Sequence, residues 1–326
     1  MKKYNIAVVG ATGLVGSEIT RILEERNFPI ENIYFLASKK SAGKTIKFQS
    51  KDYIIEELKK ESFDKDIDIA LFAAGGSISK KYGNIAAERG IKVIDNSSEF
   101  RMDKDVPLVV PEVNSEIIKK TTRIIANPNC TTIQAVVALK PLNDKFKIKR
   151  IVYSTYQAVS GSGLGGLKAL EMGEIKTYPH DIRNNALPQV DSFLDNGYTK
   201  EEVKMIDETR KIFNDENLKI TATCVRIPVK CGHSLSINVE FENPFEMEDI
   251  LGTLKNGEGI VVEDNGKENI YPMPINVEGK DSVYVGRIRR DFSADNAINL
   301  WVVADNIRKG AALNAVQIAE KLIGII

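Results

Sequence analysis

The sequence predicts an α/β chain: a doubly wound parallel sheet at the N-terminus, then a second α+β domain built on a mixed sheet. Three observations carry this. Short β-rich runs alternate with helical apolar spacing through the first third, the pattern of parallel βαβ units. A glycine-spaced turn, "VVGATGLVG", follows the first run and opens a helix. Beyond about residue 150 the runs lengthen and alternate apolar with polar, as strands do when one face is covered and the other is open to solvent or a partner.

The elements can be justified in order. "YNIAVVG" is a first strand, and apolar spacing marks a helix from Leu14 to Glu25. "NIYFLAS" and "DIDIALFAA" are the next strands, "YGNIAAERG" lies in a helix, "IKVIDNS" is a strand and "TRIIANPN" the last one before Cys130. The second region holds "RIVYSTYQAVSG", "KITATCVRIPV", "HSLSINVEFEN", "DSVYVGRIRRDFS" and "NAINLWVVAD" as strands. The closing stretch, "NIRKGAALNAVQIAEKLIGII", has the spacing of an amphipathic helix able to pack back on the first domain. Residues 1–129 with 306–326 are expected to form one domain and 130–305 the other.

Composition narrows the function. The 326 residues carry 45 Lys+Arg against 45 Asp+Glu, so no overall field exists to hold nucleic acid or an anionic membrane, and any anion must be gripped locally. Apolar runs are too short to span a bilayer and "MKKYNIAVVG" lacks a signal-peptide core, which points to the cytoplasm. Three cysteines, Cys130, Cys224 and Cys231, are an odd number without metal-ligand spacing, so neither a disulfide framework nor a bound metal is expected.

Gly10, Gly13 and Gly16 sit where backbone amides and the positive end of a helix can meet a pyrophosphate. Their spacing is GxxGxxG rather than GxGxxG, so the surrounding βαβ pattern carries much of the inference. The second strand ends without the Asp or Glu that would hold an NAD ribose; Ser38, Lys39, Lys40 and Ser41 follow and suit the 2′-phosphate of NADP. A bare "SKKS" is otherwise a solvated loop, and its position at the strand end decides for NADP.

Cys130 stands at the mouth of a helix in "NPNCTT", where unsatisfied amides and the helix dipole favour thiolate. Its polar, turn-forming neighbours suit a nucleophile better than a buried thiol, whereas Cys224 in "KITATCVRIPV" reads as a small core residue. A nucleophilic thiol needs a proton partner, and the chain has two histidines: His180 in a turn-rich loop and His233 at the start of a strand. Arg226 lies seven residues before His233, so a turn at Pro228 or Gly232 would bring both to one place, where the guanidinium could grip a carboxylate bidentately. Arg101 and Lys211 have no distinguishing local signal.

Taken in order, "GATGLVG", "NSSEFRM", "NPNCTT", "STYQAVSGSG", "RIPVKCGHS" and "DNIRKGAA" resemble aspartate-semialdehyde dehydrogenases nearly from end to end. The resemblance implies an N-terminal Rossmann domain completed by the C-terminal helix, and a catalytic domain whose sheet forms a homodimer, alone or paired into a tetramer. It implies NADPH-dependent conversion of L-aspartyl-4-phosphate to L-aspartate-4-semialdehyde through a cysteine thioester, on the route to lysine, threonine and methionine. By matched motif Cys130 is the nucleophile, Gln157 positions substrate and thioester, and His233 is the acid/base. Arg226 takes the α-carboxylate and Glu208 the α-amino group, while Arg101 and Lys211 take the phosphate. Thr12, Gly13, Leu14 and Val15 match the pyrophosphate turn, and Ser38, Lys40 and Ser41 the 2′-phosphate loop. Ser160 and Gly161 match a second cofactor contact, and Asn306 the nicotinamide end.

In one respect the chain departs from this pattern: the family commonly has arginine where Lys40 stands, and lysine meets phosphate as a point charge without a fork. Two rival readings are N-acetyl-glutamyl-phosphate reductase, which has the same architecture but a "NPGC" motif, and a non-catalytic NADP-binding sensor. Joint retention of Cys130, Gln157, Arg226 and His233 speaks against the sensor.

Overall fold

A computed structural model describes residues 2–173 and 175–324, which divide into two compact units with breaks at 128/129 and 310/311, the first and last segments together forming one unit. The breaks expected from sequence lay at 129/130 and 305/306. Residues 306–310 instead belong to the second unit. The physical reason is local: Asp305 Oδ1 accepts from the amides of Ile307 and Arg308, both at 2.9 Å, and its carbonyl accepts from Gly310, tying the segment to the strand before it.

In the first unit, strands β1 (Tyr4–Val9), β2 (Ile30–Ala37), β3 (Thr45–Phe48), β4 (Lys51–Ile54), β5 (Glu56–Glu57), β6 (Ile69–Phe72), β7 (Lys92–Asp95) and β8 (Ile124–Ala126) are joined by helices α1 (Leu14–Glu25) and α2 (Gly76–Glu88). The main sheet runs β5-β2-β1-β6-β7-β8 with every pairing parallel. Its order reverses at β1, so the loops after β1 and β6 flank the switch point where such sheets take ligands.

Every residue of β1, β6 and β7 is buried because helices cover both faces. Ile6 and Val8 face Ile19, Ile22 and Leu23 of α1 and Leu313, Val316 and Ile318 of the C-terminal helix, while Ala7 and Val9 face the side of α2. Each of the large α1 side chains contributes about 1.5–3 kcal/mol through this burial. The C-terminal helix is shorter than its apolar pattern suggests. It spans Leu313–Ile323, and a π-helical turn at Arg308–Ala312 occupies the stretch expected to be its start.

The hairpin of β3 and β4 was not anticipated. It packs on β2 through edge-to-face contacts among Phe35, Phe48 and Tyr53.

The second unit is built on a mixed sheet. In order along the chain come α3 (Pro111–Asn114, still in the first unit), α4 (Cys130–Phe146), β9 (Ile148–Gln157), α5 (Gly163–Met172), α6 (Lys200–Phe213), β10 (Lys219–Arg226), β11 (His233–Phe241), α7 (Met247–Lys255), β12 (Ile260–Val262), α8 (Pro274–Val277), β13 (Val283–Arg290) and β14 (Ala297–Ala304). The sheet order is β10-β9-β11-β14-β13-β12; the pairs β10–β9 and β12–β13 are parallel and the others antiparallel. On one face Ile151, Tyr153, Leu235, Ile237, Leu300 and Val302 are fully buried; on the other Val152, Ser154, Tyr156, Asn238, Asn299 and Trp301 are only half-buried.

Candidate functional site

In the second unit Cys130 is the first residue of α4 and half-buried. Asn129 before it caps the helix, its side-chain oxygen accepting from the amides of Thr131 at 2.9 Å and Thr132 at 3.3 Å. An asparagine just before a helical pattern is a readable cap signal, though the sequence reading took Asn129 only as a turn former. What the sequence does not disclose is the buried carboxylate support from α6. Glu208 accepts the Asn129 amide at 2.6 Å and Glu201 accepts the Asn129 side-chain amide at 2.9 Å. Glu208, expected to meet a substrate amino group, thus also holds the turn that presents the cysteine. Lys211 follows on the same face of α6, one turn on.

Close approach by Gly310 is a second support that sequence reasoning missed. A Cβ there would fall 3.0 Å from Cys130 Cβ and 3.2 Å from its carbonyl oxygen, so any side chain would press the π-helical turn a few tenths of an ångström away from the start of α4. The other two thiols are poor nucleophiles: burial pushes both Cys224 and Cys231 well above the usual thiol range.

Gln157, Arg226 and His233 come together because of strand register. Gln157 ends β9 opposite Arg226, which ends the parallel β10. His233 begins the antiparallel β11, one residue from the pairing of Ser234 with Tyr156. The loop between Arg226 and His233 lies along the residues after β9, with Val159 donating to the Val229 carbonyl, and Gly232 takes a positive φ of 87° at its end. The turn expected at Pro228 or Gly232 therefore exists, and it places both residues beside Gly161. A Cβ on Gly161 would lie 2.8 Å from Arg226 Nη1 and 3.1 Å from His233 Nε2.

All three side chains are buried. Arg226 donates from Nη1 to the Ala158 carbonyl at 2.6 Å, while its Nε has no partner. The guanidinium lies 5.9 Å from the centre of the Tyr178 ring. His233 accepts the Ala158 amide on Nδ1 at 3.0 Å, and its Nε2 has no partner. Burial, with the neighbouring Arg226 charge, holds the ring well below its ordinary pKa. Gln157 donates to Thr155 Oγ1 at 3.2 Å.

Asn306 fastens this arrangement: its Oδ1 accepts the Gly232 amide at 2.9 Å, and its side chain exchanges hydrogen bonds with Ser160 at 3.0 and 3.2 Å. His180 stays exposed in its loop, apart from this group.

In the first unit, the glycine turn is packed too closely for side chains at two of its three glycines. Gly10 has φ of 84° and a Cβ there would stand 2.5 Å from the Ala73 carbonyl oxygen; one on Gly16 would stand 2.2 Å from that of Gly10. Gly13 differs: its Cβ would meet only the Gly10 oxygen at 3.4 Å, an ordinary contact. Internal packing does not demand glycine at that position, so the missing side chain leaves the start of α1 open to close approach. Leu14 and Val15 are the first helical residues, and Gly13 at the N-cap supplies no side-chain hydrogen bond.

The same holds for Gly75 at the start of α2, where a Cβ would meet nothing within 4 Å. "AAGGS" after an apolar strand was a signal for this second glycine turn that the sequence reading passed over. Thr12 and Ser41 hydroxyls lie 3.4 Å apart, linking the pyrophosphate turn to the loop after β2. That loop is a tight turn in which Ser41 donates to the Ser38 carbonyl, and Lys39 and Lys40 are exposed. The residues fit a dinucleotide with a phosphorylated ribose.

Arg101 is buried in this unit, with Nε on the Asn127 carbonyl at 2.9 Å and Nη2 on that of Asn96 at 2.8 Å. Asn127 in turn donates to the Asn96 side chain at 2.9 Å and accepts from Asn314 of the C-terminal helix at 2.7 Å. Among the described residues no group of acidic, histidine and cysteine side chains could hold a metal ion, and no helix is long and apolar enough to cross a membrane.

Two family models match the chain. "Semialdehyde dehydrogenase, NAD binding domain" covers residues 5–121 and "Semialdehyde dehydrogenase, dimerisation domain" residues 139–309. A relative from Aquifex aeolicus named aspartate-semialdehyde dehydrogenase is 55% identical, over 98% of each chain. The crystal structure of aspartate semialdehyde dehydrogenase II complexed with ASA from Vibrio cholerae is 46% identical, covers 99% of both chains and superposes with a TM-score of 0.96. The Candida albicans enzyme with NADP is 28% identical with a TM-score of 0.81, over the whole of both chains.

Proposed function

Because the chain belongs to the aspartate-semialdehyde dehydrogenase family, we propose that it makes L-aspartate-4-semialdehyde from L-aspartyl-4-phosphate, with Cys130 as the nucleophile and NADPH as reductant. The observation that carries the residue assignment is the convergence of Gln157, Arg226 and His233 at one edge of the sheet in the unit whose α4 begins at Cys130.

The thiolate of Cys130, favoured at the start of α4, attacks the acyl carbon; the carbon–oxygen bond to phosphate breaks and a thioester forms. NADPH, when bound, supplies the hydride that reduces this thioester. Arg226 holds the α-carboxylate, its planar fork already oriented by the Ala158 carbonyl and the Tyr178 ring. Glu208 takes the α-amino group, and Gln157 positions the acyl group. Arg101 and Lys211 carry the phosphate, a role that rests on the family resemblance. Gly10, Thr12, Gly13, Leu14, Val15 and Gly16 hold the pyrophosphate, and Ser38, Lys40 and Ser41 the 2′-phosphate. Ser160, Gly161 and Asn306 serve the nicotinamide end.

A copy of the chain covers the half-buried sheet face around Val152, Tyr156 and Trp301, which makes the protein a homodimer working in the cytoplasm. The N-acetyl-glutamyl-phosphate reductase reading is disfavoured by "NPNCTT" standing where that enzyme has "NPGC", and by the 55% identity to an aspartate-semialdehyde dehydrogenase. The test is spectrophotometric: aspartate semialdehyde, phosphate and NADP should yield reduced cofactor, and N-acetyl-glutamate semialdehyde should not. Turnover of the acetylated aldehyde alone would overturn the proposal.

A further inference from the structure

We propose that two apolar rims of the half-buried sheet face anchor the homodimer: Phe292, on the hairpin between β13 and β14, and Ile275, on α8, both leave water when a second copy docks. The inference rests on the reading of that face as the dimer contact and names the side chains that hold it.

Phe292 is 99% exposed, the barest large apolar side chain among the described residues. Its place is nonetheless fixed. Asp291 beside it closes the hairpin by accepting from the Ser293 amide at 2.9 Å and hydroxyl at 2.7 Å, and it accepts from the Asn238 side chain at 2.6 Å. Asn238 also donates to Asn299 at 3.1 Å, and both asparagines belong to the half-buried face, so the hairpin tip is tied to that face. Phe292 and Asn299 line one recess there.

The strand leading to the tip is bent. Arg287 has φ of 52°, unfavourable for a side chain of its size, where the register of β13 with β14 shifts. The Asp264 carboxylate maintains this bulge by accepting the amides of Arg287 and Ile288 at 3.0 and 2.8 Å.

The second rim crosses the other end of the same face. The Trp301 indole donates to the Pro272 carbonyl at 3.0 Å, and Val277 is buried with Tyr284 and Val303. Trp301 and Val303 follow Asn299 at the strand period of two, which puts this segment on the half-buried side. Val277 turns inward, whereas Ile275 is 79% exposed.

A single bare apolar residue needs no explanation. Two of them, on elements pinned to the one sheet face that no helix covers, make a border around a docking area. The occupant is a second copy, because the matched dimerisation domain, residues 139–309, contains the face and both rims. A two-fold contact uses the same patch on each subunit, so each anchor counts twice.

Both side chains are bare in the single chain, so replacing them leaves its fold intact. Truncating one buried anchor weakens a complex about thirtyfold, and symmetry makes each change twice, so Phe292→Ser and Ile275→Ser should each raise the dissociation constant at least about a hundredfold. Sedimentation of full-length protein over a dilution series reads this. Exchange between two differently labelled batches reads the dissociation rate even for a dimer too tight to dilute apart, and should quicken about as much. Ile54→Ser, 70% exposed on β4 of the first unit, should exchange like the parent. Either rim variant exchanging within about threefold of the parent overturns the proposal, and so does Ile54→Ser exchanging as fast as the rim variants. Failure of the dimer reading would show separately, as a parent protein that sediments as a single chain.

Discussion

Gly161→Ala should separate chemistry from folding. Gly161 lies in a short turn at Val159–Ser162 and is not among the glycines with positive φ, so alanine meets no backbone strain. The added methyl, however, would stand 2.8 Å from Arg226 Nη1 and 3.1 Å from His233 Cε1 and Nε2. Restoring ordinary contact requires the guanidinium or the methyl to move by roughly 0.6–0.8 Å, against the 2.6 Å hydrogen bond to Ala158. Misplacement approaching 1 Å costs up to about a hundredfold in rate, so kcat/KM for aspartate semialdehyde should fall about 10–100-fold. Stability should drop by only about 1–2 kcal/mol, the usual penalty for a crowded methyl. The assay is reduced-cofactor absorbance with varied aldehyde, beside a thermal melt of the same preparation. A variant within twofold of the parent in kcat/KM would refute the idea that Gly161 is small to make room for Arg226 and His233.

Further outcomes follow from the same geometry. Cys130→Ala should abolish turnover while Cys224→Ala and Cys231→Ala remain active, and iodoacetamide at neutral pH should modify Cys130 first, as mass spectrometry of the peptides would show. Asn129→Ala removes the cap of α4 and should cost about 1 kcal/mol for the cap alone, seen as a lowered unfolding midpoint. Lys40→Arg should widen the preference for NADP over NAD and Lys40→Ala narrow it, and rising salt should shrink the parent's margin because the lysine is exposed; the ratio of specificity constants at two ionic strengths measures this. His233, with its folded pKa depressed, is neutral in both folded and unfolded chains above about pH 6.5. Below that the unfolded chain binds the proton and the folded one does not, so this histidine's share of stability is lost as pH falls, by up to about 1.4 kcal/mol per pH unit. Urea melts of His233→Gln and parent should therefore converge on acidification; parallel curves would contradict the depressed pKa.

How much of this could be read from the sequence varied with how local the cause was. The glycine turn and the bounds of α1 were legible because strand period, glycine spacing and helix period all change within a few residues. Cys130 was legible as a helix-mouth thiol because "NPN" is turn chemistry before a helical pattern. The hairpin of β3 and β4 was not, because its turn uses Gln49 and Ser50 with φ of 46° and 64°. Asn-Gly or Asp-Gly would have announced such a turn, and these residues do not.

Buried acids were equally hidden. "KEEVK" reads as a solvated helical face, yet Glu201 and Glu202 are buried, one holding Asn129 and the other the amide of Cys224. Their partners lie far away in sequence, and only the folded unit brings them near. The same is true of Gly310, whose absent side chain matters only because Cys130 lies against it.

The asparagine relay has a consequence for the order in which the protein can be made. Asn127 accepts its hydrogen bond from Asn314, which also donates to the Val109 carbonyl at 3.0 Å, and the helix carrying Asn314 supplies Leu313, Val316 and Ile318 to the core around β1. On a ribosome the first 128 residues emerge early, but this helix emerges only after the second unit. Until then one face of the sheet has α1 but lacks the rest of its cover, and Asn127 lacks its partner Asn314. The N-terminal unit must wait, incomplete, through synthesis of the whole second unit, which is exposed to no such delay. A released chain truncated before Leu313 should therefore carry a folded second unit beside a protease-sensitive first one, the reverse of the sequence in which they were translated.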